Sequence, residues 1–379
     1  MDQPGHNSTA VLLLAHGTPN VLGEMAEYLA KVTGGRALPP SVVAELQHRY
    51  AQIGLADTPG TEPPPLTRWT LAQARLLEIA LQQSGHALPV YVAMRNWQPF
   101  IPIVVHQMLA DGITRILALC LAPQNSRTST GLYRRALTSA IEAEAAQNPT
   151  APKLSLTFVE SWSDEPSLIE AFTQRLVEIY SSLKAGAPEP ALSLPKGLDS
   201  QTWEVEPENQ IAATPLPVLF TAHSVPCRTI QSSESTPLLS SRTLSERSES
   251  KGEGSASSSP DPYPIEAKHT AELVFASAAR RLPNLKNWFF AFQSQGVAGG
   301  PWIGPTVEDT LAAIRAEGHS AVVLQPIGFL SDHVEILYDI DIAFAQRARS
   351  LGLRLFRTES LNDSPLLTQA LLHVVLGSL

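Results

Sequence analysis

Apolar residues along this chain fall into two alternating patterns. Short runs at residues 10–15, 88–94, 113–121, 153–159, 217–222, 288–293 and 321–327 are apolar at most positions. Between them, residues 67–83, 100–110, 131–146, 167–183, 267–280, 307–317 and 333–350 carry apolar residues every three or four positions. The first pattern predicts strands buried on both faces, and the second predicts amphipathic helices. Their alternation predicts an α/β fold of parallel sheets with helices on both sides. Two strands end alike, in Ala15-His-Gly-Thr-Pro19 and Ala222-His-Ser-Val-Pro226. We therefore expect two similar Rossmann-like, doubly wound domains, 8–165 and 166–379, facing each other across a cleft.

Two stretches break the pattern. Residues 185–214 are rich in Pro, Ala and Glu, and residues 229–260 are rich in Ser with almost no aromatic or β-branched content. Such compositions bury too little apolar surface to offset the entropy of ordering, so both are predicted to be disordered insertions. The second begins just past His223, which leaves it open as a lid or as a tolerated surface insertion.

Composition narrows the function. The 379 residues are 44% hydrophobic and 17% charged, with a net charge of −9 and no dense Lys/Arg run. That balance argues against nucleic acid as the main partner. Cys120 and Cys227 are the only cysteines, as expected of reduced thiols in a cytoplasmic protein, and they cannot supply an iron–sulfur cluster. No signal-peptide pattern is evident at the start, and no apolar run is long enough to span a membrane. No Gly-x-Gly-x-x-Gly follows a strand, and neither a phosphate-binding P-loop nor His-Glu-x-x-His occurs, which disfavours nucleotide chemistry.

The remaining candidates sit where strands end. His223 closes an apolar run, at the edge of the expected ligand crevice. Ser331-Asp-His-Val-Glu335, followed by Asp339, places two carboxylates four apart on one helical face. The plain alternative is a solvated first turn capped by Asp332, with His223 a core histidine. His333 is expected to hold its loop through a ring hydrogen bond. Arg36, Arg49 and Tyr50 suit a flat ligand bearing carboxylates, or are ordinary surface groups.

These residues resemble the ferrochelatases over nearly the whole chain apart from the insertions. The likeness rests on His16-Gly-Thr-Pro19, Arg49-Tyr-Ala-Gln-Ile-Gly54, Met94-Arg-Asn-Trp-Gln-Pro-Phe-Ile101, Leu121-Ala-Pro-Gln-Asn-Ser126, Val159-Glu-Ser-Trp162, Ala222-His-Ser-Val-Pro226, Asp261-Pro-Tyr-Pro264, Gln293-Ser-Gln-Gly296, Pro301-Trp302 and Ser331-Asp-His-Val-Glu335. The resemblance implies a chelatase fold, insertion of Fe2+ into a porphyrin in haem synthesis, and no permanently bound cofactor. It implies His223 and Glu335 as the catalytic pair and, together with Asp339 as a relay, as the residues that meet the metal. His16, Arg36, Arg49, Tyr50 and Ser126 would meet the porphyrin, and a haem acceptor protein is a candidate partner. Several motifs are more similar to the coproporphyrin III ferrochelatases than to the protoporphyrin IX enzymes. The chain departs from that pattern at His16, which stands for a Tyr, at Thr33-Gly34, which stand for an arginine pair, and at Ala343, which stands for a further carboxylate; Asn96 stands for a His seen in some relatives. A cobalt or sirohydrochlorin chelatase, and a non-catalytic tetrapyrrole carrier, are the competing readings.

Overall fold

The computed structural model describes residues 8–150, 152–184, 216–230, 260–296 and 300–379. The insertion 185–214 and most of 229–260 lie outside these residues. Two four-stranded sheets form, every pairing parallel. The first is ordered β2-β1-β3-β4, from β1 (Thr9–Ala15), β2 (Val90–Met94), β3 (Arg115–Cys120) and β4 (Ser155–Val159). The second repeats that order as β6-β5-β7-β8, from β5 (Val218–His223), β6 (Trp288–Gln293), β7 (Ala321–Pro326) and β8 (Arg354–Arg357). The expected pair of doubly wound sheets is what forms, and β1 and β5 hold equivalent central places.

Alternation along β1 shows why both faces are covered. Val11 and Leu13 enter one core, while Ala10, Leu12 and Leu14 enter another. Full burial of a leucine side chain stabilises by about 1.5–3 kcal/mol, so a one-residue register slip would be costly on either face. α4 (Ile101–Ala110) and α5 (Thr130–Gln147) cover the second face of the first sheet. Its other face shares one continuous core with the second sheet. That core includes α3 (Pro65–Gln83), α6 (Pro166–Lys184), α8 (Tyr263–Ala279) and α12 (Pro365–Leu376). The carboxyl-terminal α12 packs on both α3 and α6, so the last helix ties the two halves together.

Polar groups line the same junction. Gln73 on α3 donates to Ser331 Oγ at 2.8 Å and to the Asn362 carbonyl at 2.6 Å. Gln124 donates to the Ile327 carbonyl at 3.1 Å. Glu266 on α8 accepts from the Asn125 amide and the Ser161 hydroxyl, each at 2.7 Å, and Asp261 accepts from the Arg127 amide at 3.1 Å. Three motifs of the resemblance, around residues 121–126, 159–162 and 261–264, thus meet at the seam.

α1 (Met25–Val32) and α2 (Pro40–Gln52) build a separate cluster in which Met25, Tyr28, Leu29, Tyr50 and Trp97 are buried. Val334, from the second half, packs against it. The expected single helix over 333–350 is instead three pieces. α10 (Val334–Leu337) leads into a π-helical stretch, Asp339–Phe344, and then into α11 (Ala345–Ser350). The remaining helices are α7 (Cys227–Ile230) and α9 (Val307–Ala316). Asp332 is not the cap: His333 occupies that position without a side-chain cap bond, and Asp332 accepts from Ser360 and Asn362 instead.

Candidate active site

β5 ends on His223, and the chain must turn there because Pro226 cannot extend the ladder. The Ser224 amide donates to the Gln293 carbonyl at 2.7 Å, and its hydroxyl donates to the Ile303 carbonyl at 2.9 Å. Those bonds leave the ring directed at the opposite loop. His223 Nδ1 donates to the Ser224 carbonyl, so a neutral ring carries its proton there and leaves Nε2 bare. Nε2 lies 3.6 Å from Glu335 Oε1. Phe329 and Trp302 flank the imidazole, with ring centroids 6.2 and 6.5 Å away.

Burial disfavours charge on both partners. It lowers the His223 pKa below 6.5, against the pull of the Ser224 carbonyl and of Asp339. It raises Glu335 to about 7, with the nearby Asp339 charge adding to the rise and His333 opposing it. Glu335 Oε2 has no hydrogen-bond partner among the described residues, and His333 Nε2 stands 3.9 Å from it. The His333 Nδ1 donates to the Ser331 carbonyl at 2.9 Å, the loop-holding bond expected of it. Gln293 donates to the Glu335 carbonyl at 2.9 Å, fixing the backbone beneath the carboxylate.

Asp339 lies one turn further along. It accepts from Ser294 Oγ at 2.5 Å and stands 3.8 Å from Arg49, whose guanidinium also covers the Tyr338 ring at 5.1 Å. Burial raises the Asp339 pKa, and Ser294 and Arg49 hold that rise in check. Arg49 is therefore brought to the acidic row from the other half of the molecule.

His16 follows the last residue of β1, where His223 is the last residue of β5, and both of its ring nitrogens are engaged. Nδ1 is 3.1 Å from the Gly17 carbonyl and from the Tyr28 hydroxyl, and Nε2 is 2.9 Å from the Asn96 side-chain nitrogen. A carbonyl can only accept, so Nδ1 holds the proton and Nε2 accepts from Asn96. Burial, assisted by the Arg95 charge, pushes His16 down to about 4. Any iron ligation through Nε2 would break the Asn96 bond. Gly17 beside it adopts φ +87°, and a Cβ there would lie 2.8 Å from the Trp97 amide nitrogen.

Tyr50 is buried, and burial pushes its pKa to about 12 against hydrogen bonds with Tyr28 and Thr18. Ser126 is fully buried, with its hydroxyl 3.1 Å from that of Thr128 inside the turn before α5. Arg36 is exposed on the turn after α1. Sequence reasoning passed over Tyr28 and the pairing role of Asn96; Tyr28 reads only as one apolar position of α1. A separate cavity of about 590 Å³, lined by Lys31, Arg95, Phe100 and Ile101 among others, includes neither His223 nor Glu335.

Residues 8–379 match the family model for ferrochelatase. The chain is 48% identical to a ferrochelatase of Acidobacterium capsulatum over 370 residues, covering 98% of this chain and 94% of the relative. A ferrochelatase of Herpetosiphon aurantiacus is 33% identical, with 97% and 98% covered. A coproporphyrin III ferrochelatase of Geobacillus thermodenitrificans is 27% identical, with 98% and 96% covered. Two parallel-sheet halves and these likenesses define a metal-inserting enzyme. The chain belongs to the ferrochelatase family. Among the described residues no helix is long and apolar enough to cross a membrane.

Proposed function

We propose that the protein inserts Fe2+ into coproporphyrin III, in preference to protoporphyrin IX, using His223 and Glu335 as its acid–base pair. The observation that carries the reading is the bare His223 Nε2, 3.6 Å from Glu335 Oε1. Insertion forms iron–nitrogen bonds as two pyrrole N–H protons leave. The entering metal acidifies those N–H groups, and a neutral imidazole is a suitable acceptor at neutral pH. Burial makes imidazolium unfavourable at His223, so the proton passes readily to Glu335, whose pKa of about 7 suits it to accept and release. Asp339, with Ser294 and Arg49, continues the path outward and offers oxygen donors to the incoming ion.

Porphyrin choice rests on kinship. Relatives named coproporphyrin III ferrochelatases are 26–28% identical over 97–98% of the chain. Several motifs that resemble theirs, around residues 121–126, 159–162 and 261–264, meet at the seam between the sheets. We place the reaction in the cytoplasm, with the iron porphyrin passed to an acceptor protein and no resident cofactor.

Anaerobic turnover with Fe2+ and each porphyrin in turn tests this. Higher kcat/KM for coproporphyrin III is expected, and the reverse order overturns the substrate assignment. Tight haem binding without turnover on either would replace the enzyme by a carrier.

A further inference from the structure

Asp341 lies two residues past Asp339 and takes a different partner, Arg357 in place of Ser294 and Arg49. It is buried, and Arg357 at the end of β8 grips it with two bonds, Nε to Oδ1 at 2.5 Å and Nη2 to Oδ2 at 2.9 Å. Arg357 Nη1 donates to the Thr358 carbonyl at 3.0 Å and stands 3.7 Å from Asp332 Oδ1. Asp332 in turn accepts from Ser360 at 2.7 Å and Asn362 at 2.9 Å, and its amide donates to Asn362 Oδ1 at 2.9 Å. The Asn362 carbonyl is the one held by Gln73 from the first half.

Both ends of the segment that carries Glu335 are therefore anchored to the stretch 357–362. The segment needs an anchor because its own ladder is ambiguous. The Tyr338 carbonyl accepts from both the Ile342 amide, at 3.1 Å, and the Ala343 amide, at 3.0 Å. A π-helical turn of this kind can relax into an ordinary α turn, which would rotate the carboxylates around the axis. A two-armed guanidinium–carboxylate contact fixes direction as well as distance, which a lysine ammonium cannot do.

We propose that Arg357 is a positioning residue, whose grip on Asp341 and approach to Asp332 keep Glu335 opposite His223. The inference rests on the acid–base role assigned above to that pair. Its test compares the wild type with Arg357→Lys, Asp341→Asn and the double variant Arg357→Met with Asp341→Leu. The double variant removes both buried charges together, so thermal stability is expected to return towards wild type. We expect kcat to fall about 10- to 100-fold in all three while the porphyrin KM changes less than about threefold. Amide hydrogen exchange over residues 334–344 should quicken in each, a readout independent of turnover. Failure of the wild type to turn over would count against the function, whereas the exchange result would still judge the grip. Unchanged exchange and wild-type kcat in Arg357→Lys would overturn the proposal. So would recovery of kcat together with stability in the double variant, which would show a structural role only.

Discussion

The two halves of the molecule place the same side chain at the same point and treat it differently. β1 and β5 hold the same place in sheets with one order, and an Ala-His pair stands at the carboxyl end of each. Both imidazoles carry their proton on Nδ1, bonded to a neighbouring carbonyl. The difference lies at Nε2. At His16 an amide that does not titrate donates to it, and at His223 a carboxyl with a pKa of about 7 faces it. A buried histidine with both nitrogens satisfied is a wall, and one with a bare nitrogen beside a titrating partner can move a proton. Position in the fold makes a site available, and the partner of one nitrogen decides its use.

The largest expected effect comes from removing the bare nitrogen. His223→Asn should lower kcat by about 10²–10⁴-fold in anaerobic assays, while fluorescence-detected porphyrin binding stays within a few-fold. His16→Asn in the same assay should change kcat by less than about tenfold, since that ring passes no proton.

Glu335→Gln is next, with kcat down about 100-fold and a change in pH-dependent stability. The folded pKa of about 7 lies above the ordinary 4.5, so the folded state holds this proton more tightly. The contribution is fully present below about 4.5 and is lost as pH rises through about 7. The variant lacks that loss, so its urea midpoint should gain on the wild type between pH 5 and pH 8. Parallel midpoints at both values would remove Glu335 as the titrating partner.

The smallest effect tests the comparison from the other side. Asn96→Leu strips the donor from His16 Nε2 and should cost about 1 kcal/mol of stability, by thermal or urea melt. Its kcat should stay within about threefold of wild type, because a second bare nitrogen without a titrating carboxyl completes no relay. A large fall in kcat would make His16 a participant.

Much of this was legible in the chain. Short, mostly apolar runs announced seven strands, and His223, Glu335 and Asp339 stood out because each follows such a run. β8 escaped because Arg354-Leu-Phe-Arg357 is charged at both ends and only Phe356 is buried in it. The segment holding α1 and α2 reads as helix-rich, but its bounds escaped because few of its residues are buried, Tyr50 alone in α2. The π-helical stretch did leave a trace. Ile336, Ile340, Phe344 and Ala348 share one core at a strict spacing of four, which an α-helix of 3.6 residues per turn would carry steadily around its axis. Arg357 gave no local signal, since its partners are 16 and 25 positions away in sequence and meet it only when β8 joins the sheet. The use of His16 was equally hidden, because Asn96 reaches it from the end of β2, 80 residues on.

The claim that the bare His223 nitrogen faces Glu335 is open to direct observation. Nitrogen-15 spectra of histidine-labelled protein at pH 7, assigned with the His223→Asn and His16→Asn variants, report the protonation of each ring nitrogen. The account predicts His223 neutral with its proton on Nδ1 and an unprotonated Nε2, and His16 still neutral on acidification towards its pKa of about 4. A charged His223, or one carrying its proton on Nε2, would contradict the account, because neither can accept a proton from a pyrrole.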